Sequence, residues 1–370
     1  MPQPKIPDPK NDSRYGLGEP LADPKDAKVD IVFVHGLGGD RIGTWTGVGK
    51  DADGKEFKEL WPKTLLPEAC PTARILSFGY NAYFAHFYHL FGPEEIAEEL
   101  TIDDHSKALF TSLIGLRDNT KTSDRPVIFV CHSLGGLVVA NALSQNYRDL
   151  DEKSTNLSSM TIGTLFLGTP FAGSAAAKYG HLAEGLYSLV SSTQSDNLKN
   201  LQKRSEKLAT INDEFAKLLR SRDRSESRNF IEVATFFEEY PVRKLGKKTM
   251  TIVPKESASI FGFDLQSIAA NHMDMTKFEG SYVPGYIDVS NKLKQWIKGL
   301  DMSKEQRKNA GLGNAGKINN VSMSHFKVDG GNVIGVAEPG ANPTGTAYHG
   351  SVGTINYGTS APSTGDNSGY

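Results

Sequence analysis

The sequence predicts an α/β fold, with a doubly wound, mostly parallel sheet, an inserted helical cap and a low-complexity C-terminal tail. Three observations support this prediction. Short apolar, β-branched segments alternate with segments of helical periodicity between residues 28 and 300. Two of the apolar segments run directly into glycine-rich turns. The 370-residue chain is also long enough for one large α/β domain with additional segments.

Composition argues against several functional classes. The formal net charge of −2 argues against nucleic acid as the main partner. The two cysteines, Cys70 and Cys131, are too few for a disulfide framework, which suits a reducing compartment. The N-terminus lacks the apolar segment of a secretory signal, and no run of about eighteen apolar residues predicts a spanning helix. We therefore expect a cytoplasmic protein, for which peripheral contact with a membrane stays open.

The chain begins with a segment rich in Pro, Asp and Lys, residues 1–27, which predicts a flexible arm. The first buried strand is predicted at Val29 to Val34, and it runs straight into His35-Gly36-Leu37-Gly38-Gly39. Glycines here let the backbone approach a ligand, and the N–H of Leu37 is a candidate oxyanion donor. A phosphate loop is the alternative, but the Gly-Lys-Ser/Thr ending and the G-x-G-x-x-G spacing are both missing.

The next segment predicts a loop and a short helix that ends near a proline, where Leu65 and Leu66 precede Pro67, followed by a strand from Ala73 to Tyr80. Residues 80–91 are dense in aromatic side chains, which could line an acyl pocket, contact a bilayer or simply pack on the domain. His86 and His89 lack a third ligand at metal-binding spacing, so we expect no metal and no cofactor. A helix is predicted over residues 94–117.

The segment from Pro126 to Ala140 organises the chain. An apolar strand from Val127 to Val130 turns sharply through Cys131-His132-Ser133-Leu134-Gly135-Gly136 into a helical segment. A strained serine between a buried strand and a helix is typical of the nucleophile elbow of α/β-hydrolases. Its helix offers the N–H of Leu134 as the other candidate oxyanion donor. Cys131 stands where the usual G-x-S-x-G pattern has its first glycine.

After the elbow, a polar loop is predicted over residues 149–159 and a strand over residues 160–167, leading into Gly168-Thr169-Pro170. Residues 174–228 are predicted to form a helical cap, because apolar residues recur at three- and four-residue spacing on a long amphipathic helix that faces the core. A coiled-coil interface is the less favoured alternative. Further strands are predicted at residues 230–237 and 249–254, and a closing helix at residues 286–300.

The remaining members of a triad must follow the serine in the order acid, then histidine. His272 is the candidate base, since it lies in a loop after the last predicted strand, whereas the other histidines after Ser133 fall in the cap or the tail. Glu238 is the favoured acid because it directly follows an apolar strand. Three other acids stay open as alternatives: Glu239, Glu256 and Asp264. We also place three residues in the substrate pocket: His35, Gly36 and His132.

Five motifs together resemble the serine lipase/esterase-like hydrolases. They are His35 to Gly39, Cys131 to Gly136, Leu167 to Pro170, Val253 to Ala258 and Asn271 to Met275. The resemblance is strongest to the branch related to the GPI inositol-deacylase and SERAC, and more narrowly to the fungal SesB-type domain. It covers residues 28–300 and implies an α/β-hydrolase fold, Ser133 as nucleophile, His272 as base and ester or lipid-acyl substrates.

The C-terminal part divides into a charged linker, residues 301–328, and a Gly-, Ser-, Thr- and Asn-rich tail, residues 329–370. The tail holds short, uncharged, β-prone segments that predict either plain disorder or cross-β self-assembly. The fungal branch that the chain resembles is associated with NOD-like receptors and incompatibility-type cell death. Two hypotheses follow: a serine ester hydrolase acting as a signalling effector, or a non-catalytic module that interacts through its tail.

Overall fold

The computed structural model describes residues 15–82, 101–146, 152–171, 198–224, 230–242, 251–260 and 262–301. The chain divides into two units, residues 1–318 and 319–370, and every described residue belongs to the first unit. The aromatic segment after Ala82 and the C-terminal tail therefore lie outside the described residues.

A six-stranded parallel sheet forms the centre of the described structure, in the order β4-β1-β5-β6-β7-β8. Its strands are β1 (Val29–Val34), β4 (Ala73–Phe78), β5 (Val127–His132), β6 (Thr161–Leu167), β7 (Glu232–Tyr240) and β8 (Asp264–Asn271). A separate antiparallel hairpin joins β2 (Thr46–Lys50) to β3 (Glu56–Leu60). The helices are α1 (Trp61–Thr64), α2 (Leu66–Ala69), α3 (Ile102–Asn119), α4 (Leu134–Asn146), α5 (Glu152–Met160), α6 (Leu198–Arg224) and α7 (Pro284–Leu300).

Both faces of the sheet are covered, which confirms the doubly wound α/β-hydrolase architecture. Alternate residues of each strand enter opposite apolar layers, as the pleat requires. In β1, Val32 and Val34 pack in the layer that holds α4 and α6, whereas Ile31 and Phe33 pack with Trp61 and with α7. All six residues of β1 and β5 are buried, so these two strands form the centre of the core.

The described part of the predicted cap is helix α6, and its apolar side faces the core as expected. Leu208, Ile211, Phe215 and Leu218 are all at most 6% exposed. The Arg222 guanidinium fixes the far end of the helix by donating to the main-chain O of Thr161, at the start of β6, and to that of Ser158, near the end of α5. The helix therefore packs as a covering element of the sheet; a cap over residues 174–228 as a whole stays a prediction.

Four local predictions need correction. Residues 46–60 form a hairpin and not a loop, and residues 152–160 form helix α5 and not a polar loop. The strand predicted at residues 249–254 is wrong over its described part, residues 251–254, because Ile252 and Val253 donate their N–H groups to a side chain and Pro254 has none to donate. Among the described residues, the last strand is instead β8.

The fourth correction concerns residues 15–27, the described part of the flexible arm that was predicted over residues 1–27. Gly16 and Ala22 bridge the outer edge of β4, where Gly16 N–H donates to Gly79 O at 2.8 Å and Leu21 N–H to Ile75 O at 2.8 Å. Residues 15–27 thus cover an edge whose backbone groups would otherwise stay unpaired. No helix among the described residues is long and apolar enough to cross a membrane.

Candidate active site

Ser133 occupies the sharp turn between β5 and α4 in a strained backbone conformation. Its φ is +51°, in a region that residues other than Gly rarely adopt. Two hydrogen bonds hold the turn: Ser133 N–H donates to Leu167 O at 2.9 Å, and Gly136 N–H donates to Ser133 O at 3.1 Å. This geometry is that of the elbow predicted from the sequence.

Glycines let the elbow pack tightly against its neighbours. A Cβ on Gly135 would lie 2.3 Å from His35 O, and one on Gly136 would lie 2.1 Å from Thr169 Oγ1. Helix α4 therefore approaches the ends of β1 and β6 more closely than any side chain would allow. Cys131, in place of the usual first glycine, is fully buried in the apolar layer, where burial raises the pKa of its thiol well above the usual range.

His272 follows β8 and contacts both other candidate members of a triad. Its Nε2 lies 3.0 Å from Ser133 Oγ, and its Nδ1 lies 3.0 Å from Glu238 Oε2. Because a carboxylate can only accept, Nδ1 carries the proton and Nε2 is left to accept the serine hydroxyl. All three residues are at most 3% exposed.

Glu238, at the end of β7, is the acid that the structure brings to the histidine. Its second oxygen, Oε1, accepts the N–H groups of Ile252 and Val253 at 2.8 Å each. The three alternative acids from the sequence are solvent-exposed, and one of them, Asp264, pairs with Lys292. The two backbone donors were missed, because the segment that carries them resembles a strand in sequence.

His35 has partners within the protein. Its Nδ1–H donates to Gly36 O at 3.0 Å, its Nε2 accepts the Tyr80 N–H at 3.2 Å, and its ring stacks on that of Tyr80. Burial lowers the pKa of His35 to about 4, so the ring is neutral at physiological pH. These contacts hold the glycine-rich turn in place, and a direct contact of His35 with substrate stays a prediction.

His132 is likewise buried, and its Nε2–H donates to the main-chain O of His272 at 2.9 Å. Gly36 lies against the elbow so closely that a Cβ on it would be 2.7 Å from the Ser133 Cβ. That contact brings the turn with Leu37 beside Ser133, while Leu134 opens α4. The oxyanion roles of Leu37 and Leu134 and the pocket roles of Gly36 and His132 stay predictions.

The Gly168-Thr169 turn after β6 adds two structural features to the site. The sequence motif marked this turn but did not predict either feature. Gly168 has φ +60°, and a Cβ on it would lie 2.9 Å from His272 Cε1. The imidazole therefore rests directly on a glycine. The Thr169 hydroxyl is buried and has no hydrogen-bond partner among the residues that the structure describes.

The arrangement joins a hydroxyl, an imidazole and a buried carboxylate in one chain of hydrogen bonds. In this arrangement the imidazole can accept the hydroxyl proton, and the carboxylate can stabilise the imidazolium that forms. In the described part of the chain, no cluster of three or more His, Cys, Asp or Glu side chains could hold a metal ion.

Sequence comparison agrees with this geometry. Residues 100–255 match the family described as "Putative serine esterase (DUF676)". The protein SERAC1 of Bos taurus is 28% identical over 280 residues, which cover 74% of this chain and 39% of that protein. SERAC1 of Danio rerio is 29% identical over 262 residues, covering 68% and 36%. The chain thus spans less than two fifths of the length of these relatives.

Solved structures of similar architecture include a lipase of Bacillus licheniformis and an esterase of Pyrococcus furiosus. The lipase is 18% identical with a TM-score of 0.41, and the match covers 76% of this chain and 99% of the lipase. The esterase is 13% identical with a TM-score of 0.41, covering 74% of this chain and 82% of the esterase.

Proposed function

From the premise that this chain is an α/β-hydrolase of the serine-esterase-like group, we propose that it cleaves carboxylic esters through an acyl-enzyme intermediate. One observation carries the proposal: the unbroken hydrogen-bonded chain from Ser133 Oγ through His272 to Glu238, with 3.0 Å at each step. The strained elbow that presents the serine supports it, because such strain persists where the fold maintains it for function.

In the proposed mechanism Ser133 Oγ attacks the ester carbonyl while His272 Nε2 takes the hydroxyl proton. The same proton then passes to the departing alcohol, which leaves the acyl group bound to Ser133. Water, deprotonated by His272, attacks this acyl-enzyme and releases the acid and the free serine. Glu238 fixes the tautomer of the ring throughout, and the N–H groups of Leu37 and Leu134 stabilise the oxyanion.

The proposed substrate is an ester with an apolar acyl group, as in a lipid. Two features support this assignment. The leucine side chains of both proposed oxyanion donors are 5% exposed, and they belong to the same apolar layer as Phe171. An acyl chain that adds to this layer would gain ~0.8 kcal/mol for each methylene it buries.

Labelling with a fluorophosphonate probe tests the ester-hydrolase proposal. We expect the wild-type protein to be labelled, with the added mass on Ser133, and Ser133→Ala to be unlabelled. Ser106→Ala is the matched control: Ser106 is equally buried but lies in α3, where it donates to Val138 O at 2.8 Å, so its loss should leave labelling intact. A folded wild-type protein that stays unlabelled would contradict the proposal.

The acyl preference is tested separately with p-nitrophenyl esters from acetate to decanoate. We expect kcat/KM to rise with acyl length, by up to about fourfold per buried methylene. A preference for acetate would remove the lipid part and leave the ester-hydrolase part standing.

The signalling role implied by the fungal resemblance is proposed to act downstream of hydrolysis. Under this proposal Ser133→Ala abolishes the cell-death response in a host that expresses the protein. A response that survives Ser133→Ala but is lost on deletion of residues 319–370 would instead support the non-catalytic module, with assembly or NOD-like receptor contact through the tail.

A further inference from the structure

His132 connects the two sides of the candidate active site. It is the last residue of β5, and strand alternation directs its side chain away from the layer that receives Cys131. On that opposite side lies the turn after β8, and His132 Nε2–H donates to the main-chain O of His272 at 2.9 Å. One residue therefore bonds the elbow to the loop that carries the base.

Two further contacts fix the His132 ring itself. The His132 and His272 rings lie 4.9 Å apart between centroids, at an interplanar angle of 41°. On the other side, a Cβ on Gly36 would lie 3.0 Å from His132 Nδ1, so only a glycine leaves room for the ring there. The ring thus lies between the glycine-rich turn and the base. His132 as a whole residue is 4% exposed.

The environment keeps this imidazole uncharged. Burial lowers the pKa of His132 well below the usual value, and the neighbouring His272, His35 and Lys277 lower it further, opposed by the hydrogen bond to the His272 carbonyl. A neutral ring suits the proposed chemistry, because His272 itself becomes positively charged when it accepts the serine proton. A second charge 4.9 Å away would oppose that step.

We propose that His132 is a positioning residue, a neutral Nε2–H imidazole that anchors the His272 main chain and so holds the His272 ring at hydrogen-bond distance from Ser133. The inference rests on the proposed function and deepens it. It assigns to the residue between Cys131 and Ser133 a role in orienting the base, in place of a contact with substrate.

Two substitutions separate the hydrogen bond from mere bulk. His132→Leu keeps apolar volume and removes the donor, whereas the amide of His132→Gln places an N–H near the position of Nε2. We expect His132→Leu to lower kcat by about 10²-fold with little change in KM, since a small misplacement of a catalytic group has effects of that size. His132→Gln should recover at least a tenth of the wild-type kcat. Ser106→Ala, which loses a buried hydrogen bond elsewhere, should lower the melting temperature and leave kcat unchanged.

Three outcomes would overturn the proposal: a folded His132→Leu protein with wild-type kcat, equal losses of kcat in the Leu and Gln variants, or an effect confined to KM. A wild-type protein without esterase activity would instead contradict the proposed function. In that case nitrogen-15 NMR of the wild-type imidazoles still tests the hydrogen bond. We expect His132 as the neutral Nε2–H tautomer from pH 6 to 8, and an Nδ1–H or charged ring would overturn the assignment.

Discussion

Glu238 holds His272 with one carboxylate oxygen and is itself held by the other. Oε2 lies 3.0 Å from His272 Nδ1, while Oε1 accepts the N–H groups of Ile252 and Val253 at 2.8 Å. The two oxygens together leave the carboxylate one orientation. A buried acid fixed in this way can specify the Nδ1–H tautomer of the base.

Glu238→Gln tests this relationship. The Gln amide has one oxygen and one NH2 group, so it faces either His272 Nδ1–H or the two backbone donors with a donor of its own. We expect kcat to fall by about 10⁴-fold in ester hydrolysis, the size of effect that the same change of acid to amide has in a serine protease triad. Glu239→Gln changes the exposed neighbour and should stay within about twofold of wild type. Equal losses in both variants would contradict the assignment.

The sequence predicted the elements that carry strong local signals. β1 and β5 are continuous apolar runs that end in glycine-rich turns, and both the strands and the strained Ser133 lie where they were predicted. Which carboxylate contacts His272 was harder to predict, because that depends on the tertiary structure around the imidazole and not on any local pattern. Glu238 and Glu239 are adjacent in sequence, yet Glu238 is 3% exposed and buried, whereas Glu239 is solvent-exposed.

Errors arose where tertiary contacts outweigh local preference. The β-branched segment before Pro254 resembles a strand, but its N–H groups bond a carboxylate. Residues of helix α5 were predicted as a loop because their sequence is polar. The helix nevertheless buries Leu157 and Ser158 on its inner side. Neither contact can be deduced from residue spacing alone.

Gly168→Ala should separate backbone strain from damage to the site. Gly168 has φ +60°, and an added Cβ would press on His272 Cε1 at 2.9 Å. Gly54, with φ +77°, has no atom within 4 Å of such a Cβ, so Gly54→Ala is a matched control. We expect both variants to lose about 1–2 kcal/mol of unfolding free energy, and Gly168→Ala alone to lose kcat, by about 10²-fold. Equal kcat in the two variants would contradict the close contact.

His105 should make the stability depend on pH in the acid range. Burial lowers its pKa to about 4, and its ring lies 4.7 Å from that of Tyr80. Between about pH 6.5 and 4 the unfolded chain therefore binds a proton that the native state does not, so the unfolding free energy falls as the pH falls. His105→Phe removes this proton. Relative to wild type, its stability should decline less steeply, by about 1.4 kcal/mol per pH unit in that window.

Urea unfolding of both proteins from pH 4.5 to 8 measures the difference. At pH 8 the wild-type imidazole is neutral, and the phenyl ring of the variant carries no charge at any pH. Any difference in unfolding free energy at pH 8 therefore reports packing alone. Parallel stability curves from pH 8 to 4.5 would show that His105 titrates normally in the folded protein.

The carboxylate of Asp30 forms ion pairs with three buried or half-buried arginines, at the opposite end of the strands from Ser133. It accepts from Arg74, Arg117 and Arg125 at 2.7–3.0 Å and is fully buried. Asp30→Asn leaves their charges without an anion, and we expect a loss of about 3–5 kcal/mol in unfolding free energy. The exposed pair of Lys28 with Asp301 is the control, and its loss in Asp301→Asn should stay within about 1 kcal/mol. Similar losses from both variants would contradict this account.

Replacing Thr164, in β6, by valine should stabilise the protein. The side chain is fully buried, and its hydroxyl has no hydrogen-bond partner among the described residues. Thr164→Val removes a desolvated hydroxyl at nearly constant shape, so we expect the unfolding free energy to rise by about 1 kcal/mol with kcat unchanged. Thr161, in the same strand, donates its hydroxyl to Leu157 O at 3.0 Å, and Thr161→Val should lower stability by a similar amount. Opposite signs in urea unfolding are the expected result, and a loss in both variants would mean that the Thr164 hydroxyl is satisfied in solution.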